Sequence, residues 1–140
     1  MIGLGKPGKM TFRGPGTIGI NDIAIGVRDT YVFLTAHDKR RLVEQVDFIS
    51  HPGKKVCREN EYYGDGPKWI VTPKCIFDFD SETLEARLAM LFPGVSVDDI
   101  RANTGFAVKA AKQVETIEPP TRTELEVLRN QVDRTGLLRH

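Results

Sequence analysis

Few residues in this chain have types and spacings that could do chemistry, and most lie near its start. Gly3 to Lys9 fits the phosphate-loop spacing GxxxxGK. Met10, however, stands where such a loop needs a Ser or Thr hydroxyl for magnesium, and no strand precedes it. Gly14, Gly16 and Gly19 fit GxGxxG and lead into a helical stretch, with Asp38 placed about where a ribose-binding carboxylate belongs. Glycines there let the backbone approach a pyrophosphate, and a helix start offers N–H groups to an anion. The helix is short and only Met10 to Phe12 could precede it as a strand, so a plain glycine-rich turn is the competing reading. His37 and Asp38 follow a strand, where open α/β sheets present functional groups; a surface turn is the alternative. Lys39, Arg40 and Arg41 read as a solvated basic corner that a phosphate-bearing ligand could use. His51 and His140 have no partners at metal-ligand spacing, and Cys57 and Cys75 form no CxxC pair, so no metal site is expected. With no GxSxG, HExxH or paired-acid signature, spacing assigns no catalytic residue.

The elements that must position these residues can be read from patterning. Glycines and prolines make 1–20 a loop-rich opening segment. Asn21 to Arg28 is predicted helical, capped by Asn21 or Thr17. Thr30 to Ala36 (TYVFLTA) reads as a buried strand, and Leu42 to Ile49 as a half-exposed one. His51 to Pro67 is expected to be a loop. Lys68 to Thr72 and Cys75 to Phe79 are strands separated by a kink at Pro73, with Cys75 in the core, and Glu85 to Leu91 pairs antiparallel with the second of them. Ser96 with Asp99 opens a helix that Gly105 stops. Ala107 to Ile117 is extended, and Thr121 with Glu124 caps a last helix whose Leu125, Leu128 and Val132 share a face. The fold class is α/β, in a single domain over 1–140.

Composition limits the partners. Twenty Lys and Arg against nineteen Asp and Glu give +1, so no global field recruits nucleic acid or an anionic membrane. The longest apolar run is far too short to span a bilayer, and 1–10 lacks the apolar stretch of a signal peptide. Two cysteines make no disulfide framework. A cytoplasmic protein is expected.

The order of four segments carries more information than any one motif. GTIGINDIA (Gly16 to Ala24), TYVFLTAHDKRRLVEQVDFISHPG (Thr30 to Gly53), GPKWIVTPKCIFDFD (Gly66 to Asp80) and LFPGVSVDDIRANTGF (Leu91 to Phe106) follow one another. In this order they resemble the β subunit of family I coenzyme A transferases, of the glutaconate CoA-transferase type. PGVSVDDIRANTGF is the most specific piece, and the resemblance runs from about Gly14 to the final helix. It implies part of a CoA-transferase-like open sheet with short flanking helices, equivalent to the C-terminal half of such a subunit.

In that family a glutamate of the N-terminal half attacks the acyl-CoA carbonyl and carries CoA as a thioester. No residue here matches it, so no catalytic residue is carried over. The family's loop GxGGAxD does have counterparts: Gly16, Gly19, Asn21 and Asp22, with Gly14 before them and Ile18 where glycine is frequent. The resemblance implies that loop amides meet CoA or the thioester oxygen, with His37 nearby. Coenzyme A or an acyl-CoA is therefore the expected ligand, with nothing bound covalently. Expected partners are a second copy in a homodimer held by a sheet edge or by Tyr31, Phe33 and Phe79, a CoA-transferase α subunit, or the other half of the β subunit. Two alternatives stay open: a fragment of a CoA-thioester hydrolase subunit, which the same family contains, and a non-catalytic oligomerising scaffold that binds no CoA.

Overall fold

The computed structural model describes residues 2–4, 10–13, 18–46 and 49–137. Two short strands, β1 (Ile2–Leu4) and β2 (Met10–Arg13), pair antiparallel in a sheet of their own. Helix α1 (Ile18–Gly26) follows and delivers the chain to a second sheet of five strands. These are β3 (Thr30–Phe33), β4 (Pro67–Val71), β5 (Cys75–Phe79), β6 (Ala86–Leu91) and β7 (Lys109–Thr116), lying across the sheet in chain order. The central pairs β4–β5 and β5–β6 are antiparallel, while β3–β4 and β6–β7 are parallel. Parallel neighbours need a crossover. Residues 34–66 make the first, carrying α2 (Lys54–Glu59), and 92–108 the second, carrying α3 (Val97–Asn103). The α/β expectation of an open sheet with short flanking helices is met.

The core sits where β5, β6 and α3 meet. Alternate residues of β5, Cys75 and Phe77, point the same way and join Leu88 of β6 and Ile100 of α3, all 1% exposed or less. Val95, Val97, Val108 and Val114 close around them. Each such apolar side chain contributes roughly 1.5–3 kcal/mol by leaving water. α3 begins as its sequence predicts: the Ser96 hydroxyl accepts the Asp99 N–H, and Asp98 and Asp99 sit at the positive end of the helix dipole. α4 (Arg122–Val127) carries the predicted reciprocal cap between Thr121 and Glu124 and runs into a π-helical turn, Leu128–Val132.

Several expectations need correction. The first helix starts and ends earlier than Asn21 to Arg28, so Asn21 lies inside α1 and not at its cap; Thr17, the other candidate cap, falls outside the described residues. β3 stops at Phe33 and is half-exposed, because among the described residues it has a neighbour on one side only. Leu42 to Ile49 is no strand where it is described. The Asp38 carboxylate accepts the Arg40 and Arg41 N–H groups and winds the chain into a turn, leaving a single bridge, Val43 to Gly105. The expected loop at 51–67 contains α2, which buries Cys57. Pro73 marks the β4–β5 hairpin, not a kink in one direction. Finally, α4 buries no residue fully: of its expected apolar stripe Leu125 is half-buried, and Leu128 and Val132 are exposed.

β2 and β3 belong to different sheets, so α1 is not the crossover of a βαβ unit. The dinucleotide reading of GxGxxG loses its required context.

Candidate functional site

Two groups of sequence-selected residues come out in different environments. Gly14 and Gly16 lie outside the described residues. Gly19, Asn21 and Asp22 are on the first turns of α1, all solvent-exposed, and a Cβ built on Gly19 meets nothing within 4 Å. Ile20, Ile23, Ala24 and Val27 form a separate stripe at helical spacing. With Asp29, Thr30, Tyr31 and His51 that stripe lines an open groove of about 360 Å³. His51 closes one side: its Nδ1 donates to the Pro52 carbonyl at 2.8 Å, so its Nε2 accepts from the Thr30 hydroxyl at 3.0 Å.

The helix is fixed from its C-terminal end. Its last carbonyls are orphans that something must satisfy. The Gly64 N–H donates to the Ile25 carbonyl at 2.9 Å and the Asp65 N–H to Arg28 at 3.4 Å. A Cβ on Gly64 would stand 2.3 Å from the Ala24 carbonyl oxygen and 2.7 Å from that of Val27, so this close approach requires glycine. Lys54 locks the loop by an ion pair to Asp65 at 2.6 Å.

His37 is not a surface turn residue. It is 7% exposed, stacked on Phe77 with ring centroids 6.2 Å apart, and both ring nitrogens have partners. The Thr104 hydroxyl donates to the Ile100 carbonyl at 2.7 Å, so it accepts from His37 Nε2–H at 3.1 Å. Nδ1 is then bare and lies 2.9 Å from the Thr72 hydroxyl, whose single proton is shared between it and the Cys75 carbonyl at 3.1 Å. Burial, reinforced by the nearby Lys74 ammonium, holds the imidazole below its ordinary pKa and favours this neutral form. Cys75 Sγ lies 3.7 Å from Nδ1, but burial pushes the thiol up to about 11 and it is fully enclosed. A thiol that neither ionises nor meets solvent is not a nucleophile. The cluster instead fastens three segments: the turn after β3, the β4–β5 hairpin and the end of α3.

The same seam continues at Gly105, whose N–H donates to the Leu42 carbonyl at 2.7 Å. A Cβ there would lie 2.4 Å from that oxygen, so Gly105 is needed for close approach and not for a left-handed helix stop. Lys74 adds an ion pair to Asp99 at 2.7 Å. Reading the sequence missed Thr72, Thr104 and Gly64. Thr72 had a signal, because a Thr two residues before Lys74 can turn the hairpin by accepting backbone N–H groups, as it does from Lys74 and Cys75. Thr104 had none. The basic corner is as read: Lys39, Arg40 and Arg41 are exposed, with Arg41 paired to Asp38. Among the described residues, no three His, Cys, Asp or Glu side chains gather as a metal site requires. No helix there is long and apolar enough to cross a membrane.

Comparison with known proteins is decisive for family. The β subunit of glutaconate CoA-transferase of Acidaminococcus fermentans is 34% identical over 130 residues, 89% of this chain and 47% of the relative. The chain belongs to the CoA-transferase β-subunit family. The β subunit of 3-oxoadipate CoA-transferase of Pseudomonas knackmussii is 31% identical over 95% of the chain and 52% of its own length. The IpdB subunit of the cholesterol ring-cleaving hydrolase of Mycobacterium tuberculosis is 33% identical over 72% of the chain and 41% of its own. The solved glutaconate coenzyme A-transferase of A. fermentans superposes with a TM-score of 0.80 at 28% identity, covering 97% of this chain and 53% of that one. IpdAB of Rhodococcus jostii RHA1, at 23% identity and a TM-score of 0.77, shares the fold. This CoA-transferase β-subunit relative therefore spans about half the length of the curated proteins it matches. No protein-family model matches it.

Proposed function

We propose that residues 1–140 act as one unit equivalent to half of a CoA-transferase β subunit, binding coenzyme A or its thioesters at the start of α1 and performing no transfer alone. The observation that carries this reading is the 34% identity to a CoA-transferase β subunit over 89% of the chain. The exposure of Gly19, Asn21 and Asp22 supports it, since a ligand there would meet open backbone at a helix start, where N–H groups and the dipole favour phosphate. Gly14 and Gly16 would extend that contact. His37, enclosed between two threonines, would hold the neighbouring loops in place without touching the ligand. The attacking carboxylate would come from the part of a β subunit that residues 1–140 do not span, and an α subunit or a second copy of this chain would complete the assembly. A cytoplasmic location fits a CoA-dependent role.

Calorimetry tests the binding. Coenzyme A should bind, NADH should not, and Gly19→Val should weaken CoA binding by placing a branched side chain where the backbone must be approached. NADH binding without CoA binding would sink the reading. Incubation with acyl-CoA donors and carboxylate acceptors should leave thioester levels unchanged. Turnover lost on changing one acidic residue of this chain would show that it carries its own nucleophile.

The hydrolase relative favours a second reading, part of a CoA-thioester hydrolase. It is separated by CoA release without an acceptor once the completing chain is present. Absence of any CoA binding would leave the scaffold role.

A further inference from the structure

The two edges of the five-stranded sheet are built differently. β7 exposes Lys109, Lys112 and Glu115, and lysine on an edge strand discourages pairing with another chain. β3 (TYVF) carries no charge; Tyr31 is 46% and Phe33 73% exposed, and nothing among the described residues pairs with its outer side. The adjoining stripe of α1 leaves Ile20 54%, Ile23 64% and Val27 37% exposed. Helix stripe and strand edge meet in the groove that Tyr31 lines.

We infer that β3 is a self-pairing edge, on which a second copy of this chain adds antiparallel about a two-fold axis at Val32, placing Tyr31 of each copy opposite the partner's Phe33. The backbone sets that register. The Leu34 N–H donates to the Val71 carbonyl, so residue 34, and Val32 by the two-residue period, face β4. The N–H and C=O groups of Tyr31 and Phe33 then point outward, and antiparallel partners must both point outward to exchange hydrogen bonds. Pairing Tyr31 with Phe33 satisfies this and uses the whole strand. It makes two aromatic cross-strand pairs on one face, where the exposed Phe33 ring can lie against the other copy's groove.

Charge does not oppose the arrangement. In this register Arg28 falls opposite Ala36 and Asp29 opposite Thr35, so no like charges meet, and the net charge of +1 gives little long-range repulsion. The inference goes beyond the CoA-binding reading and stands whether or not CoA binds.

Light scattering on the 140-residue chain tests it. The expected mass at micromolar concentration is twice the 15.7 kDa of one chain. Phe33→Lys, at an exposed position where the fold is indifferent, should raise the dimer dissociation constant at least about tenfold, or about 1.4 kcal/mol. Ala111→Lys on β7 should leave it unchanged. Val32→Cys places a thiol on the axis, at a non-hydrogen-bonded pair whose Cα atoms lie about 4.5 Å apart, within disulfide reach. Oxidation should crosslink it, with little background, because Cys57 and Cys75 are buried. A monomer at tens of micromolar would overturn the inference, as would a dimer indifferent to Phe33→Lys or one lost with Ala111→Lys. A monomer whose Tyr31 and Phe33 amides exchange slowly would overturn it too, by showing that a segment of the same chain occupies the edge.

Discussion

At one side of the five-stranded sheet, β5, β6 and α3 enclose Phe77, Leu88 and Ile100, and the polar groups they bury are all paired; no buried side-chain nitrogen or oxygen among the described residues lacks a partner. At the other side, β3 and α1 hold Phe33, Ile23 and Ile20 more than half exposed. The residue types are equally apolar in both places. What differs is the number of layers. β5 and β6 each have a strand on both sides and Ile100 of α3 packed against Phe77 and Leu88, while β3 has, among the described residues, one strand neighbour and a helix that leaves an open groove. Apolar sequence therefore says where burial is wanted, and topology says whether this chain supplies it.

The largest test of that contrast is Leu88→Ala. It should cost roughly 3 kcal/mol, because a fully enclosed site collapses little around the cavity; a urea titration with an unchanged slope would measure it. Gly64→Ala comes next. A methyl group 2.3 Å from the Ala24 carbonyl must push the loop off α1, at an expected cost of about 2 kcal/mol. Amide exchange should quicken along α1 before it does in β5. A uniform change would mean that the two sides unfold as one and would blunt the comparison.

The third test uses pH. Burial keeps His37 neutral in the folded chain, so the unfolded chain binds that proton more tightly. Its contribution is complete above the ordinary value of 6.5 and is lost as pH falls below it, levelling once the folded imidazole also protonates. Asp80 and Glu124, whose carboxylates are held low by backbone N–H groups, keep their contribution through this range and lose it only as pH falls further, through the carboxylate range. The urea midpoint should therefore fall with acid in the range just under 6.5, and His37→Gln should flatten that slope. The smallest effect is Phe33→Thr. At concentrations where the chain is monomeric it should change stability by no more than about 0.5 kcal/mol, since the ring it removes is already in water. A loss comparable to Leu88→Ala would show that the open side is covered after all.

What the sequence determined by itself was local or additive. Ser96 with Asp99 and Thr121 with Glu124 write their caps within four residues, and the alternation around Cys75 and Phe77 sets β5 on the core. The order of the four family segments, with PGVSVDDIRANTGF the most specific, identified the relatives and with them the fold. Only tertiary structure decided the rest. LVEQVDFI alternates like a strand, yet two Asp38 hydrogen bonds to backbone turn its start away from any sheet. TYVFLTA reads as buried, yet its place at the sheet edge leaves its rings in solvent. His37 reads as a turn residue, and it is enclosed because Thr72 and Thr104, 35 and 67 positions away, arrive at its two nitrogens. Gly64 and Gly105 mean nothing locally; each is required by a carbonyl from a distant segment. A cap or an alternation is fixed by neighbours a few bonds away, whereas burial and close approach depend on which segments the topology brings together, and that is not encoded in any single stretch of chain.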